Sequence, residues 1–128
     1  MSYIVLLGRI LFAAIFVLAG PSHFTENTIA YAASKGVPLV SLAVPLAGII
    51  AMAGGFSIAL GYKAKYGGWL IVLFLVPVTV MIHNFWAMPD PNMAQMNEIM
   101  FMKNLSMLGG ALLITHFGSG PLSLDKGK

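Results

Sequence analysis

Polar side chains that could carry chemistry interrupt the last two apolar segments of this chain. His83 and Asn84 close the third segment, and Glu98, Lys103 and Asn104 lie in or at the start of the fourth. Because a charged group in the hydrocarbon of a bilayer costs about 3 kcal/mol or more, such residues usually face the protein interior and often mark a site. These residues are therefore the first candidates for ligand binding, although residues near helix ends can also simply face headgroups and water.

The first apolar segment carries two more candidates, Arg9 and His23. They belong to a row of residues spaced by four, three, four and three, which lies on one side of a helix that continues past Pro21. The row consists of Arg9, Ala13, Phe16, Gly20 and His23. Arg9 is a secondary candidate, because its side chain either snorkels to the cytoplasmic surface or is paired inside the protein.

The outer ends of the first, third and fourth segments should meet. We therefore expect one polar pocket on that side, and its members are His23, His83, Asn84, Glu98 and Lys103. A second row, on the fourth segment, should face the bundle because an amide in lipid needs a partner. That row consists of Asn97, Phe101, Asn104, Leu108, Ala111 and Thr115. Since Glu98 and Lys103 do not share a helix face, at least one of them needs a contact from another span.

Metal binding and nucleotide chemistry have little support in the sequence. The chain has no cysteine, which excludes disulfides, thiolate nucleophiles and iron–sulfur ligands from this chain. His23, His83 and Glu98 could supply nitrogen and oxygen ligands, but their spacing is not that of a known motif, so we assign no metal. The phosphate-binding motifs GxGxxG before a helix and GxxxxGK(S/T) are absent.

The elements that must position these residues follow from the composition. The 128 residues are 59% hydrophobic and only 9% charged, against about 25% charged in a soluble domain. Membrane spans take about 20 residues each, so four spans and short loops account for one transmembrane domain. We place the spans at approximately 2–20, 38–60, 67–88 and 93–117. The net charge of +3 comes without a run of basic residues, which argues against nucleic acid as a partner.

Short loops favour an all-α, integral membrane, antiparallel four-helix bundle that contacts the lipid bilayer. Small residues recur every four positions on the second span at Ala47, Ala51, Gly55 and Ala59, and they allow close packing of helices. We expect these contacts within one chain, and a homo-oligomer remains an alternative.

The lysines indicate the orientation in the membrane. An even number of spans places both termini and the second loop on one side, together with Lys63, Lys65, Lys126 and Lys128. We place Glu26, Lys35, Asp90 and Glu98 on the opposite side. The positive-inside rule therefore predicts cytoplasmic N- and C-termini in an inner or plasma membrane.

Several short stretches resemble proteins of the DoxX family. They are residues 6–10 (LLGRI), 16–20 (FVLAG), 103–105 (KNL) and the glycine-rich ending at 118–125 (GSGPLSLD). The resemblance covers essentially the whole chain. Pro121 and Leu122 stand where that family often has an Arg-Tyr pair, so no role of that arginine is carried over. The resemblance implies a small membrane protein with four helices that is associated with redox complexes.

From this resemblance we expect an accessory subunit or partner of a membrane redox process, linked to a quinone and to a redox partner protein. A quinone needs an apolar slot with hydrogen-bond donors, which His83, Asn84 and Lys103 could offer. The alternatives are a non-enzymatic scaffold, assembly or stress-response protein, and a passage for a small molecule. No catalytic motif is present, so whether the chain takes part in an enzyme remains open.

Overall fold

The computed structural model describes residues 2–125, without the side chain of Ser2, and these residues form five α-helices and two 3₁₀ turns. The α-helices are α1 (Ser2–Ala19), α2 (Glu26–Ser34), α3 (Val40–Leu60), α4 (Ala64–Ile82) and α5 (Pro91–Phe117), and the 3₁₀ turns are Gly20–Phe24 and Phe85–Ala87. Four helical segments are long and apolar enough to cross a membrane: Tyr3–Phe24, Val40–Leu60, Ala64–Ala87 and Pro91–Phe117. The expected all-helical membrane bundle is confirmed, and the protein is a multi-pass membrane protein in contact with lipid.

The membrane helices pack in chain order. Helix α1 lies against α3, α3 against α4, and α4 against α5. Helix α1 approaches α5 at Phe12, where a Cβ atom on Gly110 would lie 2.9 Å from the phenylalanine ring. We call the end with residues 61–63 and 118–125 the terminal end, and the end with residues 20–39 and 83–90 the distal end. The short helix α2 lies at the distal end against α3.

Local sequence signals explain where several helices begin and end. Thr25 caps α2, since its side-chain oxygen accepts a hydrogen bond from the backbone N–H of Thr28. Asp90 caps α5 in the same way, and Pro91 occupies the first helical position, where no backbone N–H is needed. Helix α3 ends at Gly61 with a φ of 70°, a left-handed conformation that glycine adopts without strain.

Glycines bring the backbones of neighbouring helices close together. A Cβ atom on Gly54 of α3 would lie 3.0 Å from the carbonyl oxygen of Gly67 on α4. A Cβ atom on Gly68 would lie 3.1 Å from the carbonyl oxygen of Ala111 on α5. Small residues at helix interfaces permit such contacts in membranes, where packing and not water exclusion holds helices together. The bundle is therefore tight between α3, α4 and α5.

Candidate functional site

A cavity of ≈ 210 Å³ lies in the distal half of the bundle, and we call it the distal cavity. It contains four of the residues singled out from the sequence, namely His23, His83, Lys103 and Asn104. Its apolar lining comes mainly from α1, α4 and α5 and includes Ile15, Phe16, Ala19, Phe74 and Met107. The distal cavity thus combines polar groups with an aromatic and aliphatic wall, which is the usual composition of a ligand site.

Asn84 and Glu98 lie outside the distal cavity. The side-chain oxygen of Asn84 accepts a hydrogen bond of 3.0 Å from Lys35 Nζ, which joins the end of α4 to the segment after α2. Helix α4 ends at Ile82, so Asn84 lies beyond the helix, and its side chain contacts Lys35 and not the distal cavity. Glu98 is exposed, while its neighbour Asn97 occupies the buried side of α5. The single pocket expected from the sequence therefore lacks these two members.

His83 is oriented by Asn97, a residue that the sequence placed on the inner row of α5 but not among the site candidates. The amide nitrogen of Asn97 donates to the carbonyl oxygen of Met93 at 2.9 Å, so its oxygen faces His83. His83 Nδ1 lies 3.0 Å from that oxygen and must donate its proton there. A neutral His83 therefore presents Nε2 as a hydrogen-bond acceptor.

His23 has an equivalent arrangement on the 3₁₀ turn after α1. Its Nδ1 lies 3.3 Å from the carbonyl oxygen of Ala19 and 3.2 Å from that of Gly20, so Nδ1 carries the proton. The ring packs edge-on against Phe74 with centroids 5.5 Å apart. Gly48 of α3 makes room for it, because a Cβ atom there would lie 2.6 Å from His23 Cβ. In the neutral ring Nε2 is again an acceptor.

Asn104 is the most unusual polar group of the distal cavity. Its side chain is 5% exposed, and it makes no hydrogen bond to any residue in the described range 2–125. Among the described residues only Arg9 Nε is fully enclosed without a partner, so the amide nitrogen and oxygen of Asn104 border the open space of the cavity. The cavity is the place where Asn104 can find a partner that the protein does not supply.

Lys103 lies at the rim of the distal cavity and is exposed. Within residues 2–125 it has neither a hydrogen bond nor an ion pair, and the same is true of Glu98. The sequence predicted that another span would supply a partner for at least one of them. The described helices supply none, because Asn97 and Asn104, and not the charged residues, occupy the buried side of α5.

A second cavity of ≈ 220 Å³ lies between α2, α3 and α4. Its wall is largely apolar and includes Tyr31, Val44, Pro77 and Met81. His23 lines both cavities, so the imidazole forms part of the boundary between them. We call this second space the α2 cavity.

Arg9 is buried at the terminal end, far from the distal cavity. It is 5% exposed, and its guanidinium donates hydrogen bonds to the carbonyl oxygens of Ser119, Pro121 and Leu122. Of the two alternatives for Arg9, the structure shows pairing inside the protein and not snorkelling. We call this contact between Arg9 and residues 119–122 the tail latch.

The segment after α5 makes further hydrogen bonds beside the tail latch. The carboxylate of Asp125 accepts from Ser119 Oγ at 2.6 Å and from the backbone N–H of Lys63 at 2.7 Å. Two backbone bonds join Leu124 and Asp125 to the end of α3. The C-terminal segment thus caps the N-terminus of α4. This helix begins at Ala64, whereas the span predicted from the sequence began at about residue 67.

Metal ligands do not cluster in the described part of the chain. No group of three His, Cys, Asp or Glu side chains comes together among residues 2–125. His23 and His83 share the wall of the distal cavity, but Glu98 is exposed and does not line it.

Comparisons with known proteins identify the relatives of this chain. The model of the SURF4 family matches residues 1–128. The inner membrane protein YphA of Escherichia coli is 30% identical over 96% of this chain and 89% of its own length. The inner membrane protein YqjF of the same organism is 31% identical over 95% of this chain and 89% of its own length. The ER-derived vesicles protein ERV29 of Saccharomyces cerevisiae is 31% identical over 62% of this chain but only 26% of its own length. No solved structure matches.

These findings correct the assignment made from the sequence. The expected membership of the DoxX family is wrong, because the matching family model is that of SURF4. The expected role as a redox accessory subunit is wrong for the same reason, and neither quinone nor a redox partner protein is supported. In the structure, two stretches that suggested DoxX, 6–10 and 118–125, meet in the tail latch. These two stretches hold the tail against the bundle, and their contacts do not indicate redox chemistry.

Proposed function

The chain belongs to the SURF4 family, and we propose that it is a membrane-embedded binding protein whose distal cavity takes up a guest molecule. The names of its relatives describe inner membranes and ER-derived vesicles, which are places and not reactions. A function must therefore be argued from the site itself.

Asn104 is the observation that carries this proposal. The Asn104 side chain is 5% exposed, has no hydrogen bond in the described chain, and lines a cavity of ≈ 210 Å³ that its amide atoms border. It therefore offers both a donor and an acceptor to a guest in that cavity. His83 supports the same proposal, because its hydrogen bond to Asn97 fixes the ring on the cavity wall.

The proposed location is the inner membrane, as in the bacterial relatives, with both termini in the cytoplasm. Lys63 and Lys65 at the terminal end support this orientation, against the single Lys35 at the distal end. In this orientation the distal cavity lies in the half of the bilayer away from the cytoplasm.

A variant that blocks the cavity tests the proposal. Ala19 is exposed and lines the distal cavity, so Ala19→Trp fills its mouth without disturbing the core. Leu18→Trp is the matched control, because Leu18 is 78% exposed and does not line the cavity. Native mass spectrometry of protein purified in a mild detergent should show a bound small molecule in the parent and in Leu18→Trp, but not in Ala19→Trp. Equal occupancy in the two tryptophan variants would refute the proposal.

A further inference from the structure

We infer that the guest of the distal cavity is a single-chain anionic amphiphile, with its acidic group at Lys103 and Asn104 and its hydrocarbon chain against Phe16 and Phe74. This inference rests on the proposed function and names the class of molecule that the cavity takes. It follows from the charge, the hydrogen-bonding groups and the access route of the cavity.

The charge of the guest follows from Lys103. Lys103 is the thirteenth residue of the 27-residue helix α5, so it lies near the middle of the span. An ammonium group at this depth requires a counter-charge or water, and the described chain provides no carboxylate for it. Since Lys103 lines the distal cavity, an anionic group in the cavity can serve as its counter-ion.

The orientation of the guest follows from the polar groups around the cavity. On α5, Lys103 offers ammonium donors and Asn104 offers a free amide. His23 and His83 donate their Nδ1 protons to protein oxygens, so in the neutral form each ring offers the cavity only an acceptor. A carboxylate accepts hydrogen bonds and does not donate them, so it belongs on the α5 side of the cavity.

The aromatic residues identify the rest of the guest as apolar. Phe16 is buried at 3% exposure, and its ring meets that of Phe74 edge-on at 6.1 Å. Both rings line the distal cavity beside Ile15 and Met107. The volume of ≈ 210 Å³ equals about seven water molecules. This space admits an acidic group with the first part of an alkyl chain.

The access route lies between α1 and α5. The cavity wall includes Ile15, Ala19 and Lys103, which are exposed on the outside of the bundle and would face lipid in a membrane. Helices α1 and α5 meet at Phe12 and Gly110, on the terminal side of this opening. An amphiphile can therefore enter the cavity sideways from the bilayer. The volume of ≈ 210 Å³ is too small for a glycerophosphate group with two acyl chains, which favours a single-chain acid.

Alkyl ligands of different charge test the inference on the whole protein in a neutral maltoside detergent. The probes are dodecanoate, dodecanol and dodecyltrimethylammonium, and the readout is the dissociation constant from ligand-dependent shifts of the thermal unfolding midpoint. The parent protein should bind dodecanoate at least tenfold more tightly than dodecanol. Lys103→Met should reduce this ratio to about one. Lys65→Met, which removes an exposed lysine at the terminal end, should leave the ratio unchanged.

A charge reversal covers the case in which Lys103→Met fails to fold. Lys103→Glu should prefer dodecyltrimethylammonium over dodecanoate. An unchanged preference for dodecanoate in Lys103→Met or Lys103→Glu would overturn the inference, and so would tighter binding of phosphatidylglycerol than of dodecanoate by the parent. If Ala19→Trp removes a bound guest while the parent shows no charge preference, the inference fails and the proposed function stands. If Ala19→Trp and Leu18→Trp retain the guest equally, the proposed function fails.

Discussion

Removal of the Arg9 side chain should release the C-terminal segment from the bundle. Arg9→Met keeps a long apolar side chain in α1 but removes the donors to the carbonyl oxygens of Ser119, Pro121 and Leu122. Ser119 is 1% exposed, so its carbonyl loses a charge-assisted hydrogen bond in a buried place. The other two acceptors are partly solvated and matter less.

The magnitude can be worked out from these contacts. The buried hydrogen bond from a charged donor contributes about 2 kcal/mol, and the two partly exposed ones contribute about 1 kcal/mol each. Arg9 Nε is buried without a hydrogen-bond partner, so its removal offsets the loss by about 1 kcal/mol of relieved desolvation cost. The net loss is about 3 kcal/mol, which increases the open fraction of the tail latch roughly 100-fold.

Cysteine labelling measures this opening, because the chain has no cysteine of its own. Ser119→Cys places one thiol at a position that is 1% exposed and so reacts with maleimide after the tail latch opens, and it alters the Ser119–Asp125 hydrogen bond equally in the two proteins compared. In this background, Arg9→Met should react roughly 100-fold faster, up to the rate of the denatured protein. Lys65→Met is the control and should not change the rate. Rates for Arg9→Met and the parent within threefold of each other would refute the assigned role of Arg9.

Two further predictions concern helix packing and capping. Gly68→Ala should destabilise the protein by about 1–3 kcal/mol, because the added methyl group would lie 3.1 Å from the backbone of α5. The control Gly109→Ala adds a methyl group where there is open space, so it should be neutral or stabilising. Equal unfolding midpoints for the two variants would contradict the close contact at Gly68. Asp125→Ala should cost about 1 kcal/mol in an unfolding titration, because the N-terminus of α4 loses its cap. The control Leu124→Ala removes a side chain that is 62% exposed and should change stability less; a reversed order would contradict the capping role.

The helical architecture could be predicted from the sequence because it depends on composition and segment length. Apolar segments of about 20 residues have few alternatives to helices in a membrane. The tail latch could not be predicted, because it joins Arg9 to residues more than 100 positions away through carbonyl oxygens that every residue type carries. The capping of α4 by Asp125 is hidden from sequence reasoning for the same reason.

The polar residues were only partly predictable. The sequence singled out His23, His83, Lys103 and Asn104, which the fold brings to one cavity. It also included Glu98, whose position depends on the rotation of α5 about its axis. That rotation is set by close packing of α4 against α5 at Gly68 and Ala111, a detail that hydropathy does not encode.

The family could not be inferred reliably from short motifs. The stretches 6–10 and 118–125 were read as a DoxX signature, whereas the SURF4 family model matches the whole chain. Arg9 in the first span and the glycine-rich ending at 118–125 are joined by hydrogen bonds that hold the tail, and such a structural contact says little about activity.

Methionine methyl groups provide the most direct test of the central claim, that the distal cavity binds an amphiphile. Met107 lines the distal cavity, Met81 lines the α2 cavity, and Met102 is 58% exposed. In protein with ¹³C-methyl methionine in deuterated detergent, dodecanoate should give saturable shifts and nuclear Overhauser contacts at Met107, and no saturable change at Met81 or Met102. A response at Met102 as strong as that at Met107, or no saturable response at Met107, would contradict the claim.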